Sequence, residues 1–149
     1  MKNKMVKIIF QLDENIHQAG TESIWASKVG ENLYRVENVP FYAKGVSFAD
    51  CVSVTVESKE LIFLKVVEKS GHSTYRIYLY SPSQLAQFEE FWKPLQEAGC
   101  TYEKATSNLF AIDIPPATDI SRVFDLLTNG ESAGIWDFEE GDCAHVLSK

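Results

Sequence analysis

Apolar and polar positions alternate along the first half of the chain, which predicts strands. Val6-Lys7-Ile8-Ile9-Phe10-Gln11-Leu12 is rich in β-branched and aromatic residues and stops at Asp13-Glu14-Asn15. Glu22-Ser23-Ile24-Trp25-Ala26 is a second strand. The turn Val29-Gly30-Glu31-Asn32 joins it to a third over residues 33–37, making a hairpin. Residues 38–49, with Pro40 and Gly45, form a connection. Cys51-Val52-Ser53-Val54-Thr55-Val56 has a period of two, so one face is buried. After Glu57-Ser58-Lys59-Glu60 the chain returns over residues 61–67. Five strands joined by polar turns predict a small antiparallel sheet curling toward a barrel.

The rhythm changes after residue 72. Residues 74–80 read as a strand, and Ser81-Pro82-Ser83 offers a helix start with Ser81 or Ser83 as cap. Leu85, Phe88, Trp92 and Leu95 recur at helical spacing up to Ala98-Gly99, widened by Phe91, with Pro94 expected to shorten or kink the helix. Strands follow at 101–105 and 109–114, ended by Pro115-Pro116. Asp119 caps a second helix carrying Ile120, Val123, Phe124 and Leu127, with Asn129-Gly130 as its stop. Residues 135–139 are the last strand. The order β-α-β-β-α-β is that of a ferredoxin-like lobe with both helices on one sheet face. The fold expected is therefore α+β: an all-β lobe, 1–72, packed on a ferredoxin-like lobe, 73–149, as one compact unit.

With 149 residues, 45% of them hydrophobic, the chain can bury a core without staples. No apolar run approaches a membrane span, and the basic start leads into a strand pattern rather than a signal-peptide core. Cys51, Cys100 and Cys143 are widely spaced and odd in number, which reads as reduced thiols in a cytoplasm.

Charge changes the picture. Residues 1–72 balance nine Lys/Arg against nine Asp/Glu, whereas residues 73–149 hold five against twelve. The second half thus carries the whole net charge of −7. Such a half repels nucleic-acid phosphates and attracts a basic partner. Solubility also favours acidic excess, but does not explain why the excess sits in one half. Trp136 and Phe138 point to one sheet face, under the helices, and Asp137 and Glu139 to the other. An open acidic sheet face built from Glu131, Asp137, Glu139, Glu140 and Asp142, flanked by Glu89 and Glu90, is the expected partner-binding surface; the alternative is an ordinary solvated surface.

Two stretches carry candidate chemistry. In the connection 38–50, Tyr42, Ser47 and Asp50 are polar ligand contacts, or else parts of a packed loop turned by Gly45. At the lobe junction, His72 is a candidate acid or base, Ser73 a nucleophile and Arg76 an anion clamp. The structural alternative is that these groups satisfy backbone and acids across the junction. No spacing identifies an oxyanion hole or a complete catalytic set, so no catalytic residue is assigned and no cofactor is expected. Asp142, Cys143 and His145, even with His17, fall short of a metal ligand set. Dinucleotide and Walker glycine loops are absent, as is a basic-aromatic RNA-reading motif.

Val36-Glu37-Asn38-Val39-Pro40-Phe41-Tyr42-Ala43-Lys44-Gly45-Val46-Ser47 with Asp50, then Ser70-Gly71-His72-Ser73-Thr74-Tyr75-Arg76, resemble a bacterial domain-of-unknown-function family, number 4265. Glu22-Ser23-Ile24-Trp25-Ala26 and residues 134–141 are similar to it too, so the resemblance spans about residues 22–145. It implies a small bacterial cytoplasmic protein and carries no catalytic roles. One departure is Ala49-Asp50, where the family has Gly-Asp; it stiffens the turn. The function expected is a non-enzymatic acidic binding protein, an immunity protein that blocks a basic, nuclease-type toxin domain. The alternative is a small-molecule-binding or hydrolytic protein that uses the junction around His72.

Overall fold

The computed structural model describes residues 4–12 and 20–146. The stop expected at Asp13, Glu14 and Asn15, and His17, lie outside them. The fold is α+β, with nine strands in two sheets and two α-helices among the described residues.

The first sheet is a closed barrel of β1 (Met5–Gln11), β2 (Thr21–Gly30), β3 (Leu33–Val36), β4 (Cys51–Glu57) and β5 (Glu60–Glu68). Neighbours in sequence pair antiparallel, and β1 meets β5 in parallel through Ile8↔Leu61 and Ile9↔Ile62. The alternation read in the sequence is the barrel wall: Ile8, Phe10, Ile24, Ala26, Val36, Val52 and Val54 point inward and are buried. Ala43 and Val46, from the connection between β3 and β4, join that core. The connection is therefore a plug in the barrel.

The second sheet has the order β7-β8-β6-β9, with β6 (Ser73–Leu79), β7 (Thr101–Lys104), β8 (Leu109–Ile114) and β9 (Trp136–Asp142). Every neighbour in it is antiparallel. α1 (Leu85–Glu97) and α2 (Ile120–Ser132) lie on one face. Phe88, Trp92 and Leu95 of α1 and Val123 and Leu127 of α2 bury against Ile77, Phe110, Ile112 and Trp136. Ser81 caps a single 3₁₀ turn, Pro82–Gln84, ahead of α1. Pro94 does not shorten α1, which runs on to Glu97.

Two of the boundaries that differ from the sequence reading have a direct physical cause. Gly130 does not stop α2; the helix continues to Ser132, and Gly134, at φ 76°, is the left-handed residue that ends it. Gly130 is needed inside the helix because Trp136 lies against it: a Cβ there would sit 2.1 Å from the indole Cε2. Likewise β9 extends to Asp142 rather than Glu139, because its ladder on β6 runs to Thr74↔Asp142.

The sheet face opposite the helices was expected to be open. At the Thr74 and Arg76 end it is closed by the barrel plug: both residues are fully buried, and Gly45 N donates to Gly141 O at 3.0 Å.

Candidate functional site

The seam between barrel and sheet is built around a buried carboxylate. Asp50 is 0% exposed. Its Oδ2 accepts from Ser47 N at 2.9 Å and from Lys69 Nζ at 2.7 Å, and its Oδ1 accepts from Ser70 N at 2.8 Å. Lys69 also donates to Asp142 of β9. The chain closes through hydroxyls: Thr74 Oγ1 donates to Ser47 Oγ at 2.7 Å, which donates to Asp142 Oδ2 at 2.8 Å. Burial lowers the Lys69 pKa, but the bonds to Asp142 and Asp50 outweigh it and the net shift is upward. Each member is satisfied, so the arrangement is a clasp between lobes rather than an open site.

Farther along β6 lies Arg76, also 0% exposed. Its Nη2 donates to the Ala43 carbonyl, while Nε and Nη1 have no hydrogen-bond partner. Gly141 makes room for it: a Cβ there would come 2.4 Å from Nη1. Burial lowers the Arg76 pKa, opposed by the charges of Glu139 and Glu22 and by Tyr78 and Tyr42.

His72 and Ser73 do not act together, because neighbours in extended chain point to opposite faces. His72 Nδ1 lies 2.8 Å from Asp113 Oδ1 on the barrel side, with its ring edge-on to Phe48. Burial raises the Asp113 pKa, and His72 and then His145 oppose that shift. Ser73 faces the other way, fully buried, 2.6 Å from His145 Nδ1. His145 Nε2 is 2.9 Å from the Pro115 carbonyl, which only accepts, so Nε2 donates there. Ser73 Oγ also accepts from Ala144 N at 2.9 Å. Ser73 thus pins the chain after β9.

The predicted acids split into groups. Tyr80 Oη donates to Asp137 at 2.8 Å and Tyr78 Oη to Glu139 at 2.9 Å, on the barrel-side face. Glu140 is on the helix side, where Tyr75 Oη donates to it at 3.2 Å. Asp142 is in the clasp. Glu131, exposed near the end of α2, is close enough for its charge to help raise the Tyr80 phenol, after the bond to Asp137. Glu89 and Glu90 leave α1 in different directions, Glu89 beside Tyr102 and Glu90 beside Leu126 of α2. Burial, then the bond to Glu139, pushes the Tyr78 phenol up to about 12.

A family model described as a domain of unknown function, DUF4265, matches residues 22–138. The chain belongs to this family. No curated protein matches it. A solved structure described as a "novel crystal structure of a hypothetical protein from Neisseria gonorrhoeae" is similar at 16% identity and a TM-score of 0.76, over 99% of both chains. That likeness speaks to the fold alone.

In this DUF4265 chain the two stretches that carry the resemblance, 36–50 and 70–76, meet at the seam. Ser47, Asp50 and Thr74 come together there. Arg76 reaches the same connection at Ala43, and His72 and Ser73 go to separate networks. Ala49, at φ 68°, holds a left-handed conformation of the kind that favours glycine. Lys69, Glu22, Asp113 and the His145–Ser73 contact were not anticipated. Lys69 and Glu22 sit at strand ends among other charges, and only the closure of the barrel distinguishes them. Among the described residues no group of three His, Cys, Asp or Glu is placed to hold a metal, and no helix is long and apolar enough to cross a membrane.

Proposed function

We propose that the chain is a non-enzymatic acidic binding protein whose second lobe seats a basic protein surface, as an immunity protein does when it blocks a basic, nuclease-type toxin domain. The observation that carries this is the phenol–carboxylate row in which Tyr78 of β6 and Tyr80 just after it meet Glu139 and Asp137 of β9. Each phenol occupies one carboxylate oxygen of Asp137 or Glu139, which orients the group and leaves lone pairs for a guanidinium or ammonium. Tyr80, 53% exposed, supplies an aromatic face on which an arginine can stack. Glu131 adds charge at the same corner. The acids held in the clasp and on the helix side serve stability, so the docking surface is Asp137, Glu139 and Glu131, with Glu89 and Glu90 as outlying steering charges.

In this reading the second lobe is a ferredoxin-like β-α-β-β-α-β unit, supported by the order β7-β8-β6-β9 and by helices on one face. The protein works in a bacterial cytoplasm, in keeping with three free cysteines. The test is co-expression with a basic toxin domain encoded beside it. The expected result is rescue of growth and a complex whose association slows as salt rises. No complex, or an association rate indifferent to salt, overturns the proposal.

One observation favours a second reading, hydrolysis at the seam: a His72 backed by a buried carboxylate is the arrangement of a general base. Ser73 is not its nucleophile. Turnover of activated esters that disappears in H72A supports it; no turnover, or turnover unchanged in H72A, removes it.

A further inference from the structure

Three successive backbone amides of the barrel plug converge on one side chain. Phe41 N lies 2.7 Å from Glu22 Oε2, and Tyr42 N and Ala43 N lie 3.0 and 2.8 Å from Oε1. Consecutive N–H groups of this kind form a concavity suited to an oxyanion. Ala43 meets both groups through successive peptides, since its N–H binds Glu22 while its carbonyl accepts from Arg76 Nη2. Arg76 therefore binds the same residue that closes the cradle. It is fully buried, and Nε and Nη1 are unpartnered. Among the described residues neither Glu22 nor Glu139 is within ion-pairing distance of it, and Glu139 is already engaged by Tyr78.

A loop cap needs no such cation behind it. The two oxygens of Glu22 are taken up by three amides, and none reaches Arg76. A tetrahedral oxyanion has further oxygens to give. Glu22 is only half-buried at the start of β2, so its carboxylate can leave toward solvent.

We propose that the amide cradle of residues 41–43, backed by Arg76, is an oxyanion-binding site that Glu22 fills from within the chain, and that an external carboxylate or phosphate takes its place. This does not rest on the basic-partner reading, although Glu139 of that surface lies opposite Arg76 in the β6–β9 register.

The experiment titrates inorganic phosphate and acetate, separately and at constant ionic strength, into the full chain while following the amide signals of Phe41, Tyr42 and Ala43 by NMR. Saturable shifts at those amides are expected, with tighter binding in E22Q and an affinity at least about tenfold weaker when R76M is added. The phosphate and acetate arms identify which oxyanion the cradle prefers. Amides that respond to neither anion more than to chloride overturn the proposal, as does an affinity that R76M leaves unchanged. The titration of the unaltered chain decides the matter if either variant fails to fold.

Discussion

Lys69 of the barrel lobe neutralises Asp50 from 2.7 Å and at the same time binds Asp142 of the sheet lobe. Removing the cation strands a buried carboxylate. Loss of one partner from a fully buried pair costs about 3–5 kcal/mol. Lys69 keeps 38% side-chain exposure, and Ser47 and Ser70 amides still serve Asp50, so K69M is expected to cost about 2–3 kcal/mol in urea unfolding. Adding D50N to K69M recovers part of that loss.

The Trp136 indole of β9 lies directly against Gly130 of α2. A methyl at 130 overlaps the indole, so G130A is expected to destabilise by about 3 kcal/mol or more, beyond the usual cost of overpacking. W136L in the G130A background relieves the overlap, and the double variant then loses less than the sum of the two single losses. Calorimetric melting of the four proteins checks this.

Alkaline pH has a predictable effect. The Tyr78 phenol is raised from 10.0 to about 12, and the Tyr75 phenol and the Lys69 amine are raised as well. A group whose folded pKa is raised contributes stability that is fully present below the unfolded value and lost as pH climbs through the folded one. Stability is therefore expected to hold up to about pH 10 and to fall between pH 10 and 12, with tyrosinate absorbance appearing together with loss of ellipticity. Y78F makes the fall shallower.

Ala49 stores strain. A left-handed alanine costs about 1–2 kcal/mol, partly offset by the greater chain entropy of glycine. A49G is expected to raise stability by up to about 1 kcal/mol without altering the clasp. A lower melting temperature in A49G would contradict the assigned backbone conformation.

The barrel strands were legible because alternation is a local signal and most of them have one wet and one dry side, whereas β6 and β8, buried on both faces, show as short runs rich in apolar and aromatic residues. The amphipathic faces of α1 and α2 were legible for the same reason. What the sequence concealed depends on distance. Gly130 looks like a helix stop until Trp136, six residues on, is seen folded back over it. The acids of β9 look like one surface, yet strand alternation divides Glu139 from Glu140, and Asp142 is claimed by a lysine far away in the chain. His72 and Ser73 illustrate the opposite error. Their adjacency suggested cooperation, whereas a period of two already places them on opposite faces. Lys69 and Glu22 acquire their meaning only when the 38–50 connection is laid between the lobes.

The barrel is closed by antiparallel ladders everywhere except where β1 meets β5, through the two pairs Ile8↔Leu61 and Ile9↔Ile62. That short parallel stitch is the place where the cylinder unzips with least loss, so β1 peels outward while β2 to β5 keep their ladders. Amide hydrogen exchange along the β1 side facing β5 is then expected to outrun exchange in β6 and β8, which lie at the middle of their sheet, and β1 becomes the strand of the barrel most readily traded for one from elsewhere.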